Sequence, residues 1–237
     1  RSAESGEQCA WAALNYRDRS LGAQAGMAPG DTDGFDIALG GRIPLGDGFS
    51  ATVSAGYGDF DMIGFNGRNT ASVEAIQFGA GAAYTFGQTT IGAYASYSDF
   101  GFDTRREIAI NGLGTASVNR TLGAFTGELG VSHAFELGDF TITPRVAVGL
   151  TGLSQGGNDE IGAGAAALQL DATSETFIWG APSIEVSYST AISSKWSLRP
   201  FASGQLRQSL DNKDFEVNAR FAGAGESGAP MLSVVPL

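Results

Sequence analysis

Apolar side chains alternate with small or polar ones, residue by residue, along nearly the whole chain, and no other feature limits the possible folds so strongly. In Phe35-Asp36-Ile37-Ala38-Leu39-Gly40-Gly41-Arg42-Ile43, one parity carries Phe35, Ile37, Leu39 and Ile43, and the other Asp36, Ala38, Gly40 and Arg42. Beyond the tight Pro44-Leu45-Gly46-Asp47-Gly48 link, Phe49, Ala51, Val53, Ala55 and Tyr57 alternate with Ser50, Thr52, Ser54, Gly56 and Gly58. A period of two sends these sets to opposite faces of a sheet. One face is greasy enough for lipid, and the other borders water.

The same rhythm predicts an up-and-down meander of about ten strands. Its members run from Gln8 to about Tyr16, 34–44, 48–59, Ser72 to Phe86, Thr89–Asp99, 118–135, Phe140 to about Leu150, about Ala172 to Ile192, Trp196 to about Arg207, and 216–222. A further start is read near Met231–Val235. Gly46-Asp47-Gly48, Gly87-Gln88, Leu137-Gly138-Asp139 and Ser193-Ser194-Lys195 are tight turns. Longer polar loops are expected up to Gly34, around Met62 to Thr70, from Phe100 to Ser117 and from Leu153 to Ala172. Short links after every second strand, with long loops between, are the pattern of an outer-membrane-type barrel. A soluble sandwich more often uses Greek-key crossovers. Phe35, Phe49, Phe60, Tyr84, Phe86, Phe100, Phe135, Phe140, Tyr188 and Trp196 cluster at expected strand ends, where rings form interfacial girdles.

Composition excludes several alternatives. A net charge of −11 argues against nucleic acid as a partner. The 35 glycines are spread through the strands, which suits a strongly curved wall. No run reaches the roughly 18 apolar residues of a membrane-spanning helix, but a spanning strand needs only about ten alternating ones. A single cysteine, Cys9, permits no internal disulfide and no cysteine metal site, and the one histidine, His133, reads as a strand-end residue near an interface. No Gly-x-Ser-x-Gly elbow, His-Glu-x-x-His or Walker loop is present, so no catalytic residue is assigned. Gly79-Ala80-Gly81 and Gly162-Ala163-Gly164 lack the rest of a dinucleotide fingerprint, so no cofactor is expected. Asp31-Thr32-Asp33 with Asp36, and Asn158-Asp159-Glu160, lack a full Ca²⁺-ligand spacing and read as solvated loops, so no metal site is assigned.

The opening Cys9-Ala10-Trp11-Ala12-Ala13-Leu14 resembles the first strand of autotransporter β-domains, the C-terminal translocators of type V secretion. So do Gly34 to Ile43, Leu45-Gly46-Asp47-Gly48-Phe49 and Ser54-Ala55-Gly56-Tyr57, while Trp196-Ser197-Leu198-Arg199-Pro200-Phe201-Ala202 is similar to that family's Leu-x-Pro-aromatic-Ala strand. The resemblance covers essentially the whole chain. It implies a twelve-stranded barrel in a Gram-negative outer membrane, exporting and anchoring a covalently linked N-terminal passenger. It also implies outer-membrane lipid and the barrel-assembly machinery as partners. Some relatives cut their own passenger, but no helical linker is expected before the first strand of this sequence, so that activity is not assigned. A porin- or adhesin-like barrel without a passenger, and a soluble β-sandwich binding module, are the competing readings.

The fold expected is therefore all-β: an antiparallel up-and-down transmembrane β-barrel, twelve-stranded when complete, with about ten strands here. Residues 1–237 form a single domain, read as truncated at both ends. Phe78, Ala80, Ala82, Val131, Val146, Val148, Ile184 and Val186 are expected to face lipid. Asp36, Arg42, Arg120, Glu128, Arg145, Glu185, Arg199 and Arg207 are the lumen-lining candidates, because arginine on the lipid face at mid-bilayer costs about 2–4 kcal/mol. An open edge is expected near 216–222, with no ladder from it to residues 8–16.

Overall fold

The computed structural model describes residues 9–21, 30–64, 67–108, 114–193, 196–211 and 217–224. The strands in chain order begin with β1 (Cys9–Leu21), β2 (Gly30–Gly46), β3 (Phe49–Gly64), β4 (Asn69–Phe86), β5 (Thr89–Glu107), β6 (Thr115–His133), β7 (Phe135–Leu137) and β8 (Phe140–Gln155). They continue with β9 (Asn158–Asp159), β10 (Leu168–Leu170), β11 (Thr173–Tyr188), β12 (Thr190–Ser193), β13 (Trp196–Leu198), β14 (Phe201–Gln205), β15 (Gln208–Ser209) and β16 (Ala219–Phe221). One antiparallel sheet runs β1-β2-β3-β4-β5-β6-β8-β11-β14 with neighbours in chain order and no crossover, and it curls into a half-barrel. Among the described residues no ladder joins β1 to β14.

Turn chemistry sets the meander. Asp47 and Gly48 both take positive φ, 50° and 84°, between β2 and β3, as a type I′ hairpin demands. At the next two tight hairpins only the first turn residue takes positive φ, Gly87 at 58° and Gly138 at 66°, as a type II′ turn demands. At this end adjoining hairpins are laced together by Thr85 N–H to Gly48 O, Ala134 N–H to Gln88 O and Ser189 N–H to Asp139 O, each 2.9 Å.

The burial pattern is inverted relative to a soluble domain. In β2 the polar parity is half-buried and the apolar parity exposed, from Phe35 to Leu39. Phe78, Leu129 and Val146 are 60%, 61% and 60% exposed, while Ala147 and Ser187 on the other face are 2% exposed. Register carries each set across the sheet: Leu39↔Ala55, Ala55↔Phe78, Phe78↔Tyr97, Tyr97↔Phe125, and then Leu129↔Val148 and Val146↔Pro182. All eight residues expected to face lipid lie on this apolar outer face, with Ile184 and Val186 continuing it on β11.

Two aromatic belts bound that face. At the tight-turn end Phe49 packs on Tyr84 with ring centroids 4.5 Å apart, Tyr84 on Phe86 at 5.9 Å, and Phe140 on Tyr188 at 4.9 Å. Toward the other end Phe35 meets Tyr57 at 6.3 Å, with Tyr16 opposite Phe35. Along β3, Phe49 and Tyr57 are separated by about 26 Å of strand, or about 20 Å of height at a barrel tilt near 40°, close to the apolar band of such barrels. His133 ends β6, its Nδ1 2.8 Å from Thr89 Oγ1 and its ring edge-on to Phe135.

Several expectations need correction. β1 runs on to Leu21 and β2 starts at Gly30, so part of the first expected loop is strand. β3 and β5 extend to Gly64 and Glu107, well past the expected ends at Asp59 and Asp99. Beyond the second belt the outer face turns polar, with Asp59, Asp61, Glu74, Asp99 and Asp103. Ladder hydrogen bonds continue there although the hydrophobic signal stops. Phe60 and Phe100 accordingly lie inside strands and on the opposite parity from the belts. The strand expected to end at Ile192 breaks at Ser189, and β12 pairs with β13 as a separate hairpin. Residues 219–221 pair with β10 in a small sheet with β9, so the wall ends at β14 and not at 216–222. The start read near Met231–Val235, and the ring of Trp196, lie outside the described residues.

Candidate functional site

Between the two aromatic belts the charged residues lie on the inner face of the half-barrel. All eight lumen candidates lie on it. Arg42 sits opposite Cys9 on one side and Thr52 on the other. Asp36 accepts from Asn15 Nδ2 at 2.7 Å and pairs with Arg17 at 3.3 Å. Glu128 forms an ion pair with Arg145 across the β6–β8 ladder. Glu185 meets Arg199 at 3.5 Å, and the same guanidinium donates to Ser187 Oγ at 3.1 and 2.9 Å. The Arg207 guanidinium lies 3.7 Å over the Trp179 ring and donates to Thr151 Oγ1 at 3.3 Å. Arg120 stacks over Phe102 at 4.9 Å. Opposite charges on neighbouring strands offset each other's desolvation and hold arginine heads off the lipid.

Sequence reasoning missed several inner-face residues. Arg17 and Arg106 fall in stretches read as loop. Trp11, Tyr94 and Trp179 occupy the polar parity of their strands, so extending the alternation by itself finds them. Each of these rings lies against a glycine on the next strand. A Cβ on Gly40 would fall 2.3 Å from Trp11, one on Gly79 1.9 Å from the Tyr94 hydroxyl, and one on Gly149 2.3 Å from Trp179 and 2.6 Å from Gly127 O. Tyr94 Oη is also bonded to Ser54 Oγ at 2.9 Å, and Trp179 Nε1 donates to Thr151 Oγ1 at 3.1 Å. Gly149→Val is therefore expected to destabilise the barrel by about 1–3 kcal/mol, since both ring and carbonyl must shift. A lowered unfolding midpoint in detergent, against an unchanged one for Gly204→Ala where the added Cβ meets nothing, is the check.

At the loop end, residues 156–172 fold back over the inner face of β5 and β6. Ser117 and Ile161 exchange N–H···O bonds of 2.9 Å, and Ala163 and Ala167 pack on Ala116. Arg106 clamps the segment by donating to Glu160 Oε1 at 3.2 Å, Glu160 Oε2 at 2.5 Å and Ala166 O at 3.0 Å. Glu160 Oε2 also accepts from Leu168 N–H at 2.8 Å. β16 seals this small sheet, with Arg220 bonded to Gln169 at 3.1 Å and Asp171 at 3.2 Å. Glu160, read from sequence as a solvated loop acid, is thus the buried half of an ion pair, 9% exposed at its side chain. Among the described residues no group of three or more His, Cys, Asp or Glu side chains converges as a metal site would require.

Comparison with known proteins agrees with this geometry. The translocator domain of autotransporter NalP from Neisseria meningitidis shares the fold at a TM-score of 0.73 and 18% identity, over 91% of this chain and 73% of that one. The β-domain of the Bordetella autotransporter BrkA matches at a TM-score of 0.54 and 16% identity, over 90% of each chain. A search of curated proteins finds no match. The family model of the autotransporter β-domain matches residues 10–234, and the chain belongs to that family.

Proposed function

We propose that this domain is embedded in the outer membrane of a Gram-negative bacterium, where its inner face lines a polar conduit that exports and anchors a covalently linked N-terminal passenger. The observation that carries this reading is the segregation across one sheet: exposed apolar residues between two aromatic belts outside, and paired arginines and carboxylates inside. Asp36, Arg42, Arg120, Glu128, Arg145, Glu185, Arg199 and Arg207 act in it as lumen wall, not as catalysts. A sheet in lipid must close, because each unpaired edge group in hydrocarbon costs several kcal/mol. The edges of β1 and β14 therefore call for further wall, twelve strands in all in the complete barrel. Insertion of such a barrel is a task for the barrel-assembly machinery.

The test is surface display. An epitope placed upstream of Cys9 in the full-length protein should be shaved from intact cells by added protease, while the barrel stays in the membrane fraction. An epitope that remains protected until the outer membrane is permeabilised rejects the export reading. Substituting a single lumen charge, such as Glu185→Gln, is expected to shift single-channel conductance by less than about twofold, a small electrostatic change in a water-filled pore. A hydrolase or transferase activity that vanished on one such change would contradict a purely conducting lumen.

A further inference from the structure

We propose that Arg120 and Gln155 form a carboxylate-binding site beneath the 156–172 segment. The inference rests on the inner face being a conduit.

Two buried donors here have no acceptor. Arg120 Nε is buried and makes no hydrogen bond, and Gln155, 6% exposed, has its Nε2 buried and unbonded as well. They are neighbours on one face. Gln155 is opposite Leu122, and Arg120 lies two residues before Leu122 on the same side of β6. Arg120 lines a cavity of about 290 Å³ together with Val118, Thr104, Glu160, Leu168 and Leu170. Glu160 is engaged by Arg106 and Leu168 N–H, and no hydrogen bond joins it to Arg120. Arg106 and Glu160 cancel in charge, which leaves the cavity net positive through Arg120 and Arg105.

An arginine cannot shed its proton to escape this position. A half-buried guanidinium without a counter-charge is costly, and the Phe102 ring engages only its face, leaving the in-plane Nε–H available. What fits is an acceptor-only anion with two oxygens, one for the guanidinium and one for the Gln155 amide, which is the chemistry of a carboxylate. It has two possible sources, an Asp or Glu side chain of a polypeptide occupying the conduit, or a small free carboxylate.

The experiment uses the full-length protein refolded in neutral detergent micelles, with fluorescently labelled Gly/Ser decapeptides bearing one Glu or one Gln, read by anisotropy. The Glu peptide is expected to bind about tenfold tighter than its Gln counterpart, a difference of about 1.4 kcal/mol. Arg120→Gln should abolish the preference, and Arg120→Lys should keep part of it, with far-UV circular dichroism confirming that both fold. Displacement of the Glu peptide by millimolar acetate assigns the site to free carboxylates, and resistance to acetate assigns it to a polypeptide side chain. Equal affinities for the two peptides, or a preference that survives Arg120→Gln, would overturn the proposal and mean that water alone satisfies these donors. Open-channel conductance measured without peptide reports separately on the conduit reading.

Discussion

Leu129→Arg should lower the stability of the folded protein in phospholipid vesicles by about 2–4 kcal/mol, the cost of an arginine on the lipid face near mid-bilayer. Leu129 is 61% exposed and sits between Ala93 on β5 and Val148 on β8, far from either aromatic belt. No water or counter-charge is within reach of an arginine there unless it snorkels along the strand. The same substitution at Thr126, on the inner face beside Glu128, should cost roughly 1 kcal/mol or less, because the added charge faces water and a carboxylate. Urea titrations followed by tryptophan fluorescence give both numbers. Equal costs at the two positions would mean that the faces are not divided between lipid and water.

Removing the Arg106–Glu160 clamp should have the second largest effect, and a local one. Glu160→Ala leaves Arg106, 27% exposed, without its counter-charge and deprives the Leu168 amide of its acceptor. Breaking a mostly buried pair from one side is strongly destabilising. Discounted for the partial exposure of Arg106, the loss is about 1–3 kcal/mol. Since the clamp joins a loop to the wall, the loss should fall on loop opening, with the ladders β2 to β6 untouched. The amides of Ile161, Leu168 and Ala167, each hydrogen-bonded in the closed segment or protected by it, are expected to exchange about tenfold faster or more. Conductance should rise as the segment leaves the inner face. Faster exchange with no change in conductance would separate the segment from any control of the conduit.

Alternation alone placed Phe78, Val131 and Val146 on one face and Glu128, Arg145 and Glu185 on the other. A two-residue period is a strictly local property of a pleated strand, so no knowledge of partners is needed. The hairpins at Asp47-Gly48, Gly87-Gln88 and Gly138-Asp139 were legible for the same reason, because positive φ is a property of the residues in the turn. From these two signals follow the all-β class, the meander and the sidedness. The strand ends beyond the second belt were not legible. There Asp59, Asp61, Asp99 and Asp103 replace the apolar residues, while pairing continues through backbone groups that carry no sequence signal.

The loop-end arrangement was decided by tertiary structure. Arg106 and Glu160 lie 54 residues apart, and nothing in their neighbourhoods marks them as partners. They meet because residues 156–172 turn inward, where Ala163 and Ala167 find Ala116 exposed by the curl of the wall. Arg207 over Trp179 is likewise a product of register between β11 and the chain after β14. The same curvature brings the paired charges of the inner face together. Periodicity determined which side each residue faces; only closure of long-range ladders decided which residues on that side meet, because that depends on register, tilt and curvature summed over many strands.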